Sequence, residues 1–557
     1  MFFKKIPSIS TAVLLLLCMF IAAAFKDNYF ELSKNLEIFT AVYRELYTGY
    51  VDQPDADKLM KKGIDEMLSS LDPYTSFIPE AETKNYRSIS SGKYGGIGAV
   101  IKIKNQEGVV GEIFEGFAAD KAGLKVGDIL KTINGQSTQN LKTTDISKLL
   151  KGEAGTVVNL EVKKPGTDKL MALEIVREEI KIKNIDWYGM LPNNVGYIKL
   201  AGFTDGAGQE IKKATEDLLL NKKAARLILD LRNNPGGLLH EAVNVCNVYL
   251  PKGTLIVTTK GRTTASEKSY RTLNEVTAQN IPLVVLVNGN SASASEIVSG
   301  ALQDLDRAVV IGQKTFGKGL VQNTRTLPYN TLLKLTTSKY YIPSGRCIQA
   351  LNYQLRKTDG TATSIADSLK KTFLTTNGRV VYDGGGIQPD VAIAPTEQNA
   401  FINMIATGDF LFDFATDYTA SHNTIDTSGL AVDNSLWQGF ESAFLGISTK
   451  YENASEKALA SLESSVAKEN YHSMLQSQIN SIKTELKSLK QKDLTLNKAQ
   501  IMPMLLETLA GRYYYEAGKV ATNVRYDPIV MQAITLLTHP DSCQQILKNH
   551  QPPATKK

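Results

Sequence analysis

The chain has 557 residues, 43% of them hydrophobic and 22% charged, with a formal net charge of +6. That length exceeds one hydrophobic core, so several domains are expected. The small, scattered basic excess gives no reason to expect nucleic-acid binding.

The chain opens with Lys4 and Lys5, an apolar run from Thr11 to Ala24, and the small residues Ala22-Ala23-Ala24. This pattern reads as an export signal or, because the run approaches spanning length, an uncleaved membrane anchor over residues 6–24. Either way the rest of the chain is expected outside the cytoplasm, in the cell envelope and periplasmic, with the membrane touched only by this N-terminal segment. Cys18, Cys246, Cys347 and Cys543 lie far apart, as do the five histidines. No metal-ligand spacing occurs, so no metal and no cofactor are expected. The thiols read as free, with a Cys246–Cys347 bridge the alternative in an oxidising compartment.

From about Tyr29 to Ser70 the apolar spacing is helical, with Ile38, Val42 and Leu46 on one face; Leu71-Asp72-Pro73-Tyr74 breaks it. Gly92 to Arg177 alternates short β-rich runs with glycines, and Asn134-Gly135 signals a tight hairpin. From Val195 to Pro395 strands and helices alternate, as in an α/β core with buried strands. Beyond Asn399 the chain is helix-rich. Leu475, Ile479, Ile482, Leu486 and Leu489 form an apolar stripe too short for a coiled coil and read as one side of a packed helical hairpin.

Three segments of the α/β region carry chemistry. Ser293, in Asn288–Glu296, sits between an apolar strand and a helix, where unpaired N–H groups could stabilise an oxyanion. Ser293-x-x-Glu296 is equally a capping box. Lys318, between Gly317 and Gly319, is either a solvated loop charge or an amine brought close to another element. Gly319 after Lys318 breaks the Walker pattern. Asp230–Gly237 ends a buried strand with a glycine turn, which is a plain loop or the source of a second N–H donor at the end of the sheet.

Taken together, Asp230–Gly237, Ser291–Glu296 and Thr315–Gln322 resemble the carboxyl-terminal processing peptidases, or tail-specific proteases. The separation of 25 positions from Ser293 to Lys318 fits, with Gln322 four further on. The resemblance extends to Leu71–Tyr74, Tyr94–Ala99, Ala122–Leu130, Ile133–Gly135, Ile342–Arg346 and Gly386–Asp390. It implies an α/β multidomain chain with a crotonase-like peptidase core, an inserted PDZ β-domain, and helical N- and C-terminal regions. The expected divisions are 1–24 (signal or anchor), 28–82 (helical), 90–178 (PDZ), 180–395 (peptidase core) and 399–557 (helical).

The resemblance further implies Ser293 as nucleophile, Lys318 as general base and Gln322 as its orienting partner. Oxyanion donors fall to the N–H of Ala294 and of Gly236 or Gly237, and a tail-binding loop to Gly95, Gly96, Ile97 and Gly98. The implied partners are proteins with free apolar C-termini. Adaptor binding or self-association through the C-terminal helices is the reading kept for residues 399–557. Rival readings are a catalytically silent PDZ adaptor and a structural envelope protein. About forty residues separate Arg346 from Gly386, more than in many relatives.

A lysine acts as a base only when neutral. At a pKa of about 10.4, roughly one in a thousand is neutral near pH 7.4. Lowering it to about 7 costs about 4 kcal/mol, which burial can supply. Val309, Ile311, Phe316 and Val321 are the expected apolar surroundings.

Overall fold

The computed structural model describes residues 8–263, 266–357, 360–394, 399–422, 434–447 and 452–548. The segment 1–24, read as signal or anchor, lies outside the residues whose side chains are described. Among those that are, no helix is long and apolar enough to cross a membrane. The chain divides into two units, Met1–Glu80 with Gln322–Thr336, and Ala81–Val321 with Thr337–Lys557.

In the first unit, helices Ser8–Gly49 and Ala56–Ser69 precede a short strand, Ser76–Ile78, paired antiparallel with Leu332–Lys334. The second helix starts at Asp55, whose carboxylate accepts the Lys58 N–H at 3.1 Å. It ends before the Leu71–Tyr74 turn, which Asp72 closes by accepting the N–H groups of Tyr74 and Thr75, both at 2.8 Å.

The second unit begins with a β-domain. Its main sheet runs in chain order: Ala99–Lys104, Glu107–Ile113, Ile129–Ile133, Val157–Lys163 and Leu170–Val176. Val158, Leu160 and Val162 alternate inward, with Ile101, Leu130 and Ile146 in the same core. Asn134 and Gly135 both adopt positive φ, +50° and +78°, as the two-residue hairpin requires.

The central sheet also runs in chain order: Ile185–Leu191, Val195–Leu200, Arg226–Asp230, Leu283–Val287, Val309–Gly312 and Val391–Ala392. The first pair is antiparallel and the rest are parallel. Every residue of Leu283–Val287 is buried, because both faces of the sheet are covered. Residues of Ala207–Glu216, Leu239–Tyr249 and Ala294–Asp304 pack with Val285 and Val310 on one face. The other face, with Ile228, Val284 and Ile311, is covered by Val530, Ala533, Ile534 and Leu537 of helix Pro528–Thr538. The far end of the chain thus completes the layers of the α/β core, and Arg226 Nε anchors it by donating to the Leu537 carbonyl at 2.7 Å.

Between these lie helices built around Phe410, Phe440, Phe444, Leu505 and Leu509. They clasp the β-domain. Lys102 pairs with Asp409 at 2.7 Å and Lys104 with Asp413. The Phe412 ring lies 3.4 Å from the Lys102 amine and 4.2 Å from the Arg512 guanidinium. The expected helical hairpin is Ala454–Lys468 with His472–Leu496. Its stripe is only half used. Ile479 and Leu486 pack inward, while Leu475, Ile482 and Leu489 are 38%, 46% and 43% exposed. The described cysteines, Cys246, Cys347 and Cys543, are free.

A buried ion pair ties the turn Ser344–Arg346 to helix Ala294–Asp304. Arg346 Nη2 donates to Asp304 at 2.7 Å and to Gln303 at 2.8 Å, and Asp304 also accepts the Ser344 N–H at 3.0 Å. Arg346→Met will cost about 3–5 kcal/mol, because Asp304 is left buried without its cation. Urea unfolding at neutral pH checks this.

Candidate active site

The three motif segments converge because each follows the carboxyl end of one of three adjacent parallel strands. Asp230 pairs with Leu286, and Val287 with Gly312, so Arg232–Gly237, Asn288–Ser293 and Gln313–Lys318 leave the sheet at one edge. Hydrogen bonds then lock the turns together. The Asn288 carboxamide accepts the Asn233 N–H at 2.9 Å and donates to the Asn233 side chain at 2.8 Å. The Asn234 carbonyl accepts the Ala292 N–H at 3.1 Å and the Ser295 hydroxyl at 2.9 Å. Phe316 N–H donates to the Ser291 carbonyl at 3.1 Å.

Ser293 is the residue before helix Ala294–Asp304 and adopts φ +56°, ψ −113°. Such a conformation costs a non-glycine residue about 1–3 kcal/mol and persists only where the surroundings impose it. Glu296 and Tyr340 impose it. The fully buried Glu296 carboxylate accepts the Ser293 N–H at 2.8 Å and the Lys318 N–H at 2.9 Å. It also accepts the Gly317 N–H at 2.7 Å and the Thr315 hydroxyl at 2.6 Å. From the other side, the Tyr340 hydroxyl lies 3.1 Å from the Ser293 carbonyl and 2.6 Å from the Lys318 carbonyl. One carboxylate and one phenol therefore bracket the main chains of Ser293 and Lys318.

Ser293 and Glu296 have the frame of a capping box, but the Glu296 N–H goes to the Ser293 carbonyl at 2.9 Å, and the Ser293 hydroxyl makes no cap hydrogen bond. The capping and nucleophile readings thus meet in one place. Burial pushes the Glu296 carboxyl up to about 7, against the four donors that favour its ionised form. Asp230 goes the other way. Burial alone would raise it, but Arg232 and Lys199 more than offset that and hold it below the usual carboxylate range.

Gly236, φ +100°, lies against the Ser293 turn. A Cβ there would come within 2.8 Å of both the Ala294 nitrogen and the Ser293 Cβ. Its N–H is committed to the Asn234 carboxamide at 2.9 Å. The N–H groups of Gly237 and Ala294 have no acceptor among the described residues.

The apolar surroundings expected for Lys318 are corrected. Phe316 is 50% exposed, and Val309 and Ile311 pack on the sheet face covered by the C-terminal helix. Residues alternate sides along a strand, so those two point away from the face that carries helix Ala294–Asp304. Of the four, only Val321 packs with the cluster on that face. Lys318 itself is partly buried.

In the first unit, the Gln322 side-chain NH₂ donates to the Thr336 hydroxyl at 3.1 Å, which leaves its Oε1 as the accepting end. In the β-domain, Gly95 and Gly96 are not loop residues but part of strand Lys93–Gly96, paired with Glu178–Lys181. Gly95 is needed for close approach, since a Cβ would sit 2.0 Å from the Gly152 carbonyl oxygen. Ile97 is buried in the β-domain core, and the N–H groups of Ile97 and Gly98 have no acceptor among the described residues. The sequence pattern pointed to Glu296 only as a cap partner and gave no signal for Tyr340. Asp205, His240 and Glu241 bring prospective metal ligands together, but Glu241 is already engaged by the N–H groups of Gly206 and Gly208, at 3.2 and 2.7 Å.

Residues 194–355 match the family model of peptidase family S41, residues 109–164 that of the PDZ domain, and residues 401–537 that of the C-terminal helical domain of probable PDZ-proteases. A carboxy-terminal-processing protease of Bartonella bacilliformis is 37% identical over 322 residues, covering 57% of this chain and 73% of the relative. The chain belongs to the carboxy-terminal-processing proteases of peptidase family S41. It is a serine-type peptidase with a PDZ domain. A probable CtpA-like serine protease of Staphylococcus aureus is 37% identical over 318 residues, and the match spans 56% of this chain and 62% of that protein's length. Among solved structures, a photosystem II D1 C-terminal processing protease is 26% identical, covering 65% of this chain and 93% of that one with a TM-score of 0.36.

Proposed function

We propose that this protease is an exported cell-envelope endopeptidase that selects proteins by their free C-terminal tails and cleaves them through an acyl-enzyme on Ser293. The observation that carries this reading is the Glu296–Tyr340 bracket, which fixes a strained serine and a lysine loop together. Neutral Lys318 takes the hydroxyl proton as Ser293 Oγ attacks the peptide carbonyl. The N–H groups of Ala294 and Gly237 receive the oxyanion; Gly236, whose N–H is spent on Asn234, is the hinge that lets the segments meet. Lys318 then gives the proton to the leaving amine, and water releases the acyl group. Gln322 is assigned by its spacing to hold the lysine amine through its Oε1.

In this reading residues 90–178 recruit the tail, with the N–H groups of Ile97 and Gly98 receiving its carboxylate beside the open edge strand Ala99–Lys104. Residues 399–557 support the core of 180–395, and residues 1–24 direct export. A folded substrate with an apolar C-terminal tail will be cleaved by the wild type and not by Ser293→Ala. Amidating the tail carboxylate will lower kcat/KM about tenfold, equal to about 1.4 kcal/mol of lost recognition. Equal cleavage of free and amidated tails would remove the tail-reading role while leaving the peptidase chemistry standing.

A further inference from the structure

Away from the active site, a cavity of about 130 Å³ opens where the β-domain, its exit strand and the long C-terminal helix meet. Ile113, Phe117, Ile182 and Ile185 provide apolar wall, while Glu112, Asp186 and Glu516 also line it. Glu112 and Asp186 come from different elements, and neither side-chain carboxylate has a hydrogen bond or ion pair among the described residues. Glu516 has Lys519 at 3.5 Å. The other cations nearby are committed or solvated. Lys199 pairs with Asp230 at 3.3 Å, Lys181 pairs with Glu210 at 3.3 Å, and Lys183 is exposed.

The helix wall of this cavity is built by a break. Helix Lys498–Asn523 leaves helical geometry at Tyr514 and Tyr515, and Tyr515 takes φ +56°, ψ −158°. The break turns the Tyr515 hydroxyl onto Asp120 of the β-domain at 2.7 Å. Strain of this kind, about 1–3 kcal/mol, gathers at ligand sites and interfaces.

We propose that this cavity binds an alkylguanidinium group, its planar head between Glu112 and Asp186 and its stem along the apolar wall. A fork of N–H donors can satisfy two carboxylates at once, which an ammonium point charge does less well. The ligand is either a free small guanidine or an arginine side chain of a bound peptide. Its binding ties the β-domain to the helix that also packs on the core. Glu112, Asp186 and Glu516 repel one another, and Lys519 and Lys199 only partly offset them. Burial first, then Glu516, pushes Asp186 up to about 6, and burial also raises Glu112. A cation favours the ionised acids, so affinity rises with pH through about 6 and levels above it.

Calorimetric titration of the full chain carrying Ser293→Ala tests this with n-butylguanidinium and its neutral isostere n-butylurea. The expected result is saturable binding of the guanidinium only, stronger at pH 7.5 than at pH 5, and at least tenfold weaker in both Asp186→Asn and Glu112→Gln. Using two separate variants guards against one of them misfolding. Competition by an acetylated, amidated Gly-Arg-Gly peptide would assign the site to peptide arginines, and no competition to free guanidines. The proposal is overturned if n-butylguanidinium does not bind, if n-butylurea binds equally, or if both folded variants bind as the parent does.

Discussion

The Lys318→Arg protein will be as inactive as Lys318→Ala, each losing about 10⁴-fold in kcat, on the scale seen when members of a nucleophile–base unit are removed. Arginine keeps the positive charge and much of the reach, but it stays protonated at any workable pH. It therefore separates a base from a charge that merely steadies an oxyanion. The local main chain should survive the change. The Lys318 N–H is held by Glu296, its carbonyl by Tyr340, and both flanking glycines are in close contact with Ala350 and Gln349. Steady-state cleavage of a tailed substrate, with the melting temperature as a check on folding, decides the point. Retention of a few per cent of activity by the arginine form would deny Lys318 its role as base.

The second large effect is expected from Glu296→Gln, about 10²–10³-fold in kcat. Glu296 receives four hydrogen bonds, all from donors. A glutamine turns one of its two acceptor atoms into a donor that faces donors. Losing about two charge-assisted bonds, at about 1.5–3 kcal/mol each, loosens the bracket enough to misplace the nucleophile. The same logic sets a pH dependence. With the Glu296 carboxyl pushed up to about 7, the folded protein holds a proton there between the ordinary glutamate range and neutrality that the unfolded chain does not. Its contribution to stability is present at low pH and declines as pH rises through that window. Activity runs the opposite way, because protonation breaks the four-donor arrangement. The wild-type kcat profile will therefore fall more steeply below about pH 7 than that of Glu296→Gln, which keeps only the limb from protonating Lys318; acid limbs of identical steepness in the two proteins would count against the bracket.

The strands, the order of the motifs and the Asn134-Gly135 hairpin were legible because each is a local pattern of apolar period, glycine and turn chemistry. The convergence of the three motifs was legible in outline, since parallel strands in an α/β fold present their carboxyl ends on one edge. What joins Ser293 to Lys318 was not. Tyr340 lies 47 positions from Ser293 and carries no local signature, and Glu296 advertised only a helix cap. The surroundings of Lys318 were misread because side chains of one strand alternate between the sheet faces, which sent Val309 and Ile311 to the far side. The sheet's second cover was hidden for a similar reason. Pro528–Thr538 looks like any amphipathic helix, and nothing local says that it returns to strands hundreds of residues upstream.

The most direct test of the Ser293–Lys318 chemistry is the rate of acylation. An activated p-nitrophenyl ester of a short apolar acyl-peptide is mixed with enzyme, quenched in acid and followed by the mass of the peptide that contains Ser293. The expected result is a rapid acyl adduct on Ser293 in the wild type, with a rate that rises with pH, and an adduct at least 10³-fold slower in both Lys318→Ala and Lys318→Arg. An adduct on another residue, or one forming on Ser293 at the wild-type rate without Lys318, would contradict the mechanism.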